Sequence, residues 1–202
     1  NFILSAMNLA FLGYFAAGKL NPHNNLYHWV DGIWAEKYTN LKKKPGRDLI
    51  RHLKIPKNIE NILIIGNISD KSKKYLEKKF KLKILNVKLP YATIENLKKK
   101  KIKIPSNTLT FITLPTPKQE QIAFNLSKYN KNYQIICIGA SLAIVSGEER
   151  EVPNILKSYE FLWRLRTDTI RRLIRLFETI FHYTKGITYL KKYKKTSFRK
   201  ID

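Results

Sequence analysis

The sequence is short of thiols: Cys137 is its one cysteine. No disulfide framework can form within the chain, and no thiolate cage for a metal. A reducing compartment, the cytoplasm, is the expected home. Acidic residues are scarce too, 15 against 39 lysines and arginines, for a net charge of +24. An excess of that size asks for an anionic partner. A compositional bias toward Lys, Asn, Ile and Tyr, with little Ala, would equally place lysines on solvated surfaces. There is no P-loop, no zinc-ligand spacing, no supported Ser-His-Asp set, and no D-x-D pair of the kind that holds a divalent cation against a nucleotide sugar. His23, His28, His52 and His182 are scattered. No metal site and no cofactor are therefore expected.

Long hydrophobic runs are missing as well. Phe2 to Ala17 is apolar, but it is too short to span a bilayer comfortably, and Asn8 interrupts it. It reads better as a buried strand, Phe2–Ser5, leading into a helix, Leu9–Ala17, with Gly18 near its end. The first residue is Asn1 rather than Met, which leaves room for residues upstream.

What is present is a regular alternation of strand and helix. Ile62–Ile65 and Ile135–Ile138 are continuous apolar runs, each followed by glycine, Gly66 and Gly139. Runs without polar alternation suit strands covered on both faces, as in a parallel sheet. Ile84–Leu89 and Leu109–Leu114 read as further strands, with helices over Asp70–Phe80 and Thr93–Lys100. Another helix opens after Thr116, with Thr116 as N-cap, Pro117 at the first helical position and Glu120 in the first turn. The expected fold is α/β and Rossmann-like, mostly parallel, with helices on both faces. A chain of 202 residues suffices for one well-buried domain. The division expected is an α/β core over residues 1–155 and a basic helical appendage over 156–202.

Several residues could carry chemistry. Gly139 lies at a strand's carboxyl end, where α/β proteins place ligands. Arg164, Arg171 and Arg175 recur at i, i+7 and i+11, close to one helical face. Such a row suits a diphosphate, or is simply a solvated basic face. Asp31-Gly32, between apolar residues and near Trp29, is either a tight turn or a reactive carboxylate whose pKa partial burial would raise. Arg47 could meet phosphate, and Asp48 could cap the helix that follows it. The C-terminal stretch mixes Phe177, Phe181, Tyr183, Tyr189, Tyr193 and Phe198 with Lys185, Lys191, Lys192, Lys194, Lys195 and Arg199. It suits an anionic membrane surface, nucleic acid, or a solvated tail.

Glu160-Phe161-Leu162-Trp163-Arg164-Leu165 resembles the E-W-x-x-R-L signature of the WecG/TagA/CpsF glycosyltransferases. Gly139, Gly147 and Pro153 match the run that precedes it there, and Arg171 and Arg175 fall where that family has further arginines. Pro117-Lys118-Gln119-Glu120 resembles the family's G-x-P-x-Q-E motif, and Gly46-Arg47-Asp48-Leu49 its G-x-D-L element. The resemblance implies Asp31 as general base, with Asn8, Gly32, Arg47, Gln119, Gly139, Arg164, Arg171 and Arg175 on the substrates. The family is thought to work without metal. Inverting transfer of a sugar would follow, from a UDP-linked sugar, with the N-acetylmannosamine type as one candidate, to a polyprenyl-diphosphate-linked sugar. Polysaccharide of the cell wall or capsule would be the product. The enzyme would sit peripherally on the inner face of the cytoplasmic membrane, with no nucleic-acid partner.

The chain departs from the pattern at several positions. Ala6 stands where a Thr is common and Ala143 where an Asp is common, and Thr113 and Pro115 replace glycines. Glu151 replaces an Arg, and Asp168-Thr169 replaces Glu-Pro. These changes suggest a divergent branch with altered donor or acceptor choice. Two other readings stand beside this one: a non-catalytic nucleic-acid-binding protein, and an inactive member of the family.

Overall fold

The computed structural model describes residues 1–21, 23–89, 94–99, 101–153, 155, 163, 170, 173–174 and 176–186. Its centre is a six-stranded sheet built of β1 (Phe2–Met7), β2 (Leu26–Val30), β3 (Asn61–Ile65), β4 (Lys83–Val87), β5 (Thr108–Ile112) and β6 (Gln134–Cys137). The strand order is β2-β1-β6-β5-β3-β4, and every pair is parallel. The expected Rossmann-like sheet is thus present, and it is parallel throughout. The helices are α1 (Leu9–Ala16), α2 (Ile33–Thr39), α3 (Gly46–His52), α4 (Asp70–Phe80), α5 (Ile94–Lys99), α6 (Lys118–Tyr129) and α7 (Ser141–Val145). A further helix covers 176–186.

Apolar residues on both faces of each strand make the two-sided core. On one face Ile3, Leu63, Ile112 and Ile135 meet Leu97 of α5 and Ile122, Ala123 and Leu126 of α6. On the other, Ile62, Ile64, Phe111 and Ile136 meet Ile50 of α3, Leu76 of α4 and Leu142 of α7. A third cluster joins Met7, Phe11, Leu12, Phe15, Val30 and Ala35 around α1 and α2, and Phe124 of α6 packs against both this cluster and the first.

The consequence lies at β1 and β6, which are neighbours. The helix after β1 shares its side of the sheet with α6, whereas the helix after β6 packs on α3 and α4 across the sheet. Two chains leaving adjacent strands for opposite faces leave a crevice at the carboxyl edge. That is where ligands bind in open α/β sheets.

The elements follow their local signals, with small shifts. Asn8 caps α1, its Oδ1 accepting the Phe11 N–H at 3.0 Å, and α1 ends at Ala16, one residue before the expected end. Two expected caps are not formed. Pro117, not Thr116, is the N-cap of α6, and the Thr116 hydroxyl donates to the Glu120 carboxylate at 3.1 Å. That bond, with the one Thr116 Oγ1 accepts from Gln119 Nε2 at 3.0 Å, turns the hydroxyl oxygen away from the backbone N–H groups it would otherwise cap. Asp48 lies inside the first turn of α3, whose N-cap is Pro45, and bonds Arg51 Nη1 at 3.4 Å. Helix 176–186 lies on α1 at close quarters. A Cβ on Gly13 would stand 2.7 Å from the Thr179 carbonyl oxygen, and one on Gly186 2.1 Å from the Ala16 Cβ. Lys19 Nζ meets His182 Nε2 at 3.0 Å along the same contact.

Candidate active site

A cleft of about 390 Å³ opens at the carboxyl ends of β1, β5 and β6. Of the expected site residues it gathers Asn8, Asp31, Arg47, Gln119 and Gly139 along its walls. Ala6 lines it too, while Ser5 turns to the opposite face and is buried against α6. Gly32 is not among the lining residues. It is the N-cap of α2 at φ 96°, a conformation that favours glycine. Arg164, Arg171 and Arg175 lie outside the described residues.

Each wall is held by identifiable bonds. The Asp31 N–H donates to the Met7 carbonyl at 2.9 Å, which ties the end of β2 to the end of β1 and keeps the carboxylate near Asn8. Asn8 spends its Oδ1 on the cap, and its carboxamide nitrogen bonds no described residue. Arg47 enters from α3, 5% exposed, with Nε 3.0 Å from Glu151 Oε1. Glu151 also takes Arg51 in a two-pronged bond, Nη1 at 3.2 Å and Nη2 at 2.6 Å. That carboxylate raises the Arg51 pKa and offsets the desolvation of the Arg47 guanidinium. Glu151 thus stitches the loop after α7 to α3.

Gly46 explains how α3 comes so close. A Cβ there would stand 2.4 Å from Ser141 Oγ. Gln119 is fully engaged within the protein. Its Oε1 accepts the Gly139 N–H at 3.1 Å, and its Nε2 donates to Thr116 Oγ1 at 3.0 Å and Glu120 Oε1 at 2.9 Å. The residue supports the cleft wall as well as lining it.

The structure adds residues that the sequence did not single out as site members: Trp29, Thr113, Thr116, Ser141 and Glu149. The Trp29 indole N–H and the Thr113 hydroxyl are buried and bond no described residue. Proximity to Asp31 and Gln119 in the chain was a signal for the first three. Nothing local marked Ser141 or Glu149. The charged lining residues described are Asp31, Glu149 and Arg47, two carboxylates against one guanidinium. A diphosphate held there would need further cations. Among the described residues no group of His, Cys, Asp and Glu is placed to hold a metal ion.

The glycosyl transferase WecG/TagA/CpsF family model matches residues 36–195. The chain belongs to this family. No curated protein sequence matches it. Membership makes the chain a glycosyltransferase of the kind that serves cell-surface polysaccharide synthesis. Such an enzyme needs a sugar-nucleotide donor and a lipid-linked acceptor. The matched span begins at Glu36, so it includes Arg47, Gln119 and Gly139 and begins after Asn8 and Asp31. Those two come to the site on geometry, since both line the same cleft as the matched residues. No helix among the described residues is long and apolar enough to cross a membrane.

Proposed function

We propose that this glycosyltransferase moves a sugar, with inversion, from a UDP-sugar to a polyprenyl-diphosphate-linked sugar, without a metal. The observation that carries the reading is the convergence of Asp31, Asn8, Arg47, Gln119 and Gly139 on one crevice at the β1/β6 switch point. Asp31 takes the proton of the acceptor hydroxyl, which attacks the anomeric carbon as the bond to UDP breaks. Charge then develops on the leaving diphosphate. Arg47 supplies one guanidinium, and Arg164, Arg171 and Arg175 are the proposed source of the rest. The orphaned Trp29 N–H and Thr113 hydroxyl suit the many oxygens of a nucleotide sugar.

The proposed division is a catalytic core, 1–155, and a basic appendage, 156–202, that closes over the donor and touches the inner face of the cytoplasmic membrane. Ile170, Ile174, Phe177 and Phe181 support the second role. They are exposed and recur at helical spacing, while Thr179 and Gly186 take the α1 side. Such an apolar stripe with basic neighbours suits an anionic bilayer.

The test is a screen of UDP-sugars for transfer to a lipid-diphosphate acceptor analogue, run with excess EDTA and with the Asp31→Asn variant. Transfer that survives EDTA and falls in Asp31→Asn is expected. Activity lost to EDTA and restored by Mg²⁺ or Mn²⁺ would remove the arginine-based mechanism.

A further inference from the structure

Glu120 is 0% exposed and lies under the cleft, not in it. Its Oε1 accepts three hydrogen bonds: from the Ser5 hydroxyl of β1 at 2.7 Å, from the Thr116 hydroxyl at 3.1 Å and from Gln119 Nε2 at 2.9 Å. Its Oε2 is buried and bonds nothing described. Burying this carboxyl with Oε2 unpartnered is costly, the three donors on Oε1 offset part of that cost, and structural packing alone would not require it.

The donor and acceptor roles in this cluster are fixed by chemistry. The Gly139 N–H, which is shared with the Ile112 carbonyl at 3.2 Å, can only donate, so Gln119 must present its oxygen there. Gln119 Nε2 then has to face acceptors, and it finds Glu120 Oε1 and the lone pair of Thr116, whose single proton goes to Glu120. Glu120 is the terminal acceptor that sets every arrow. A flipped Gln119 amide would place N–H against N–H at Gly139. From these contacts, we propose that Glu120 is a positioning residue for the donor site: it fixes the Gln119 carboxamide and, through it, the Gly139 turn. This rests on the proposed UDP-sugar site, and it adds a determinant of donor binding that never touches the donor.

The charged and titratable groups around Glu120 are consistent with that role. On β6 it faces the buried Cys137 thiol. Across Ser5 stands His28 of β2, whose Nδ1 meets the Ser5 carbonyl at 3.3 Å. Burial raises the Glu120 pKa, with the Ser5, Gln119 and Thr116 hydrogen bonds opposing it. No described lysine or arginine pairs with it. The carboxyl therefore acts through hydrogen bonds and shape rather than as half of an ion pair.

The experiment compares full-length wild type with Glu120→Gln, Glu120→Asp and Glu120→Ala. The side-chain resonances of Gln119 and the amide resonance of Gly139 are read by NMR in the free protein, and UDP affinity by calorimetry. Glu120→Gln can offer the same oxygen to the same three donors, so both resonances stay near wild type and UDP binding weakens less than about 3-fold. Glu120→Asp keeps the charge but withdraws the oxygen, so both resonances move and UDP binding weakens about 10-fold. Glu120→Ala, if it folds, behaves like Glu120→Asp, and adding Gln119→Ala to it weakens UDP binding no further. The positioning role is overturned if the resonances stay put in Glu120→Asp, or if Glu120→Gln moves them as far as Glu120→Asp does. A wild type that ignores UDP while the resonances respond as expected would instead sink the donor-site reading and leave the network intact.

Discussion

Two strand-glycine steps look alike in the sequence, Ile65-Gly66 and Ile138-Gly139, and the structure gives them opposite fates. At the end of β3 the step is closed. Gly66 sits at φ +129°, a Cβ on it would stand 2.3 Å from Thr113 Oγ1, and Asn86 Nδ2 covers its carbonyl oxygen at 2.9 Å. At the end of β6 the step is open. Gly139 sits at φ +51°, and a Cβ there would find its nearest neighbours at 3.8 Å. The first glycine serves internal packing and the second borders the cleft. Glycine after a strand therefore marks a tight turn, and topology decides whether the turn faces a ligand: β6 borders the switch point and β3 does not.

The difference can be sharpened by paired variants. The largest effect belongs to the open end. Asp31→Asn should lower turnover by about 10²–10⁴-fold with UDP affinity little changed. Asn67→Ala at the closed end, which among the described residues loses only the bond from the Leu89 N–H, should leave steady-state turnover unaltered. Wild-type turnover in Asp31→Asn would erase the contrast.

Next comes a pH effect in the open half. Burial lowers the His28 pKa from 6.5 to about 4. The folded state then binds fewer protons than the unfolded state between those values. His28 therefore contributes stability that is complete above pH 6.5 and lost as pH falls toward 4, on the order of 3 kcal/mol at most. Glu120, with its raised pKa, works in the opposite sense, losing stability as pH rises above its ordinary range. Thermal melts from pH 7 to 4.5 should show a smaller acid loss in His28→Gln than in wild type. Identical slopes would show that His28 is not the titrating group.

The two glycines give the finest test. Gly66→Ala should cost about 3 kcal/mol of stability, through strain and the collision with Thr113, and reach UDP affinity only through Thr113, by less than Gly139→Ala does. Gly139→Ala should cost only about 1 kcal/mol and still weaken UDP binding. Denaturant melts beside UDP calorimetry would show whether the two effects separate.

Much of the fold was legible because the strands are continuous apolar runs bounded by glycine, and a two-sided core needs that pattern. The helix Asp70–Phe80 has the predicted bounds because Ser69 caps it. The caps at Thr116 and Asp48 were misread for one reason. Each side chain has a partner, Glu120 and Arg51, that outbids the local backbone. Within the site, Asp31 and Gly139 were readable beside a glycine or a strand end. Glu149, Ser141 and the acceptor role of Glu120 depend on contacts between distant segments, such as Ser5 with Glu120. The WecG/TagA/CpsF resemblance was legible from the motifs and is shown by the match over 36–195. The arginine row on which the proposed diphosphate site leans lies outside the described residues.

The mechanism proposed for this glycosyltransferase stands on the open crevice being the donor site. It is tested most directly by titrating UDP into isotope-labelled wild-type protein. Saturable shifts are expected at the Asn8 side chain and the Gly139 and Ser141 amides, larger than any at Gly66, with Ser69 unmoved. Shifts that gather at Gly66–Ser69, or no saturable shift in the crevice, would contradict it.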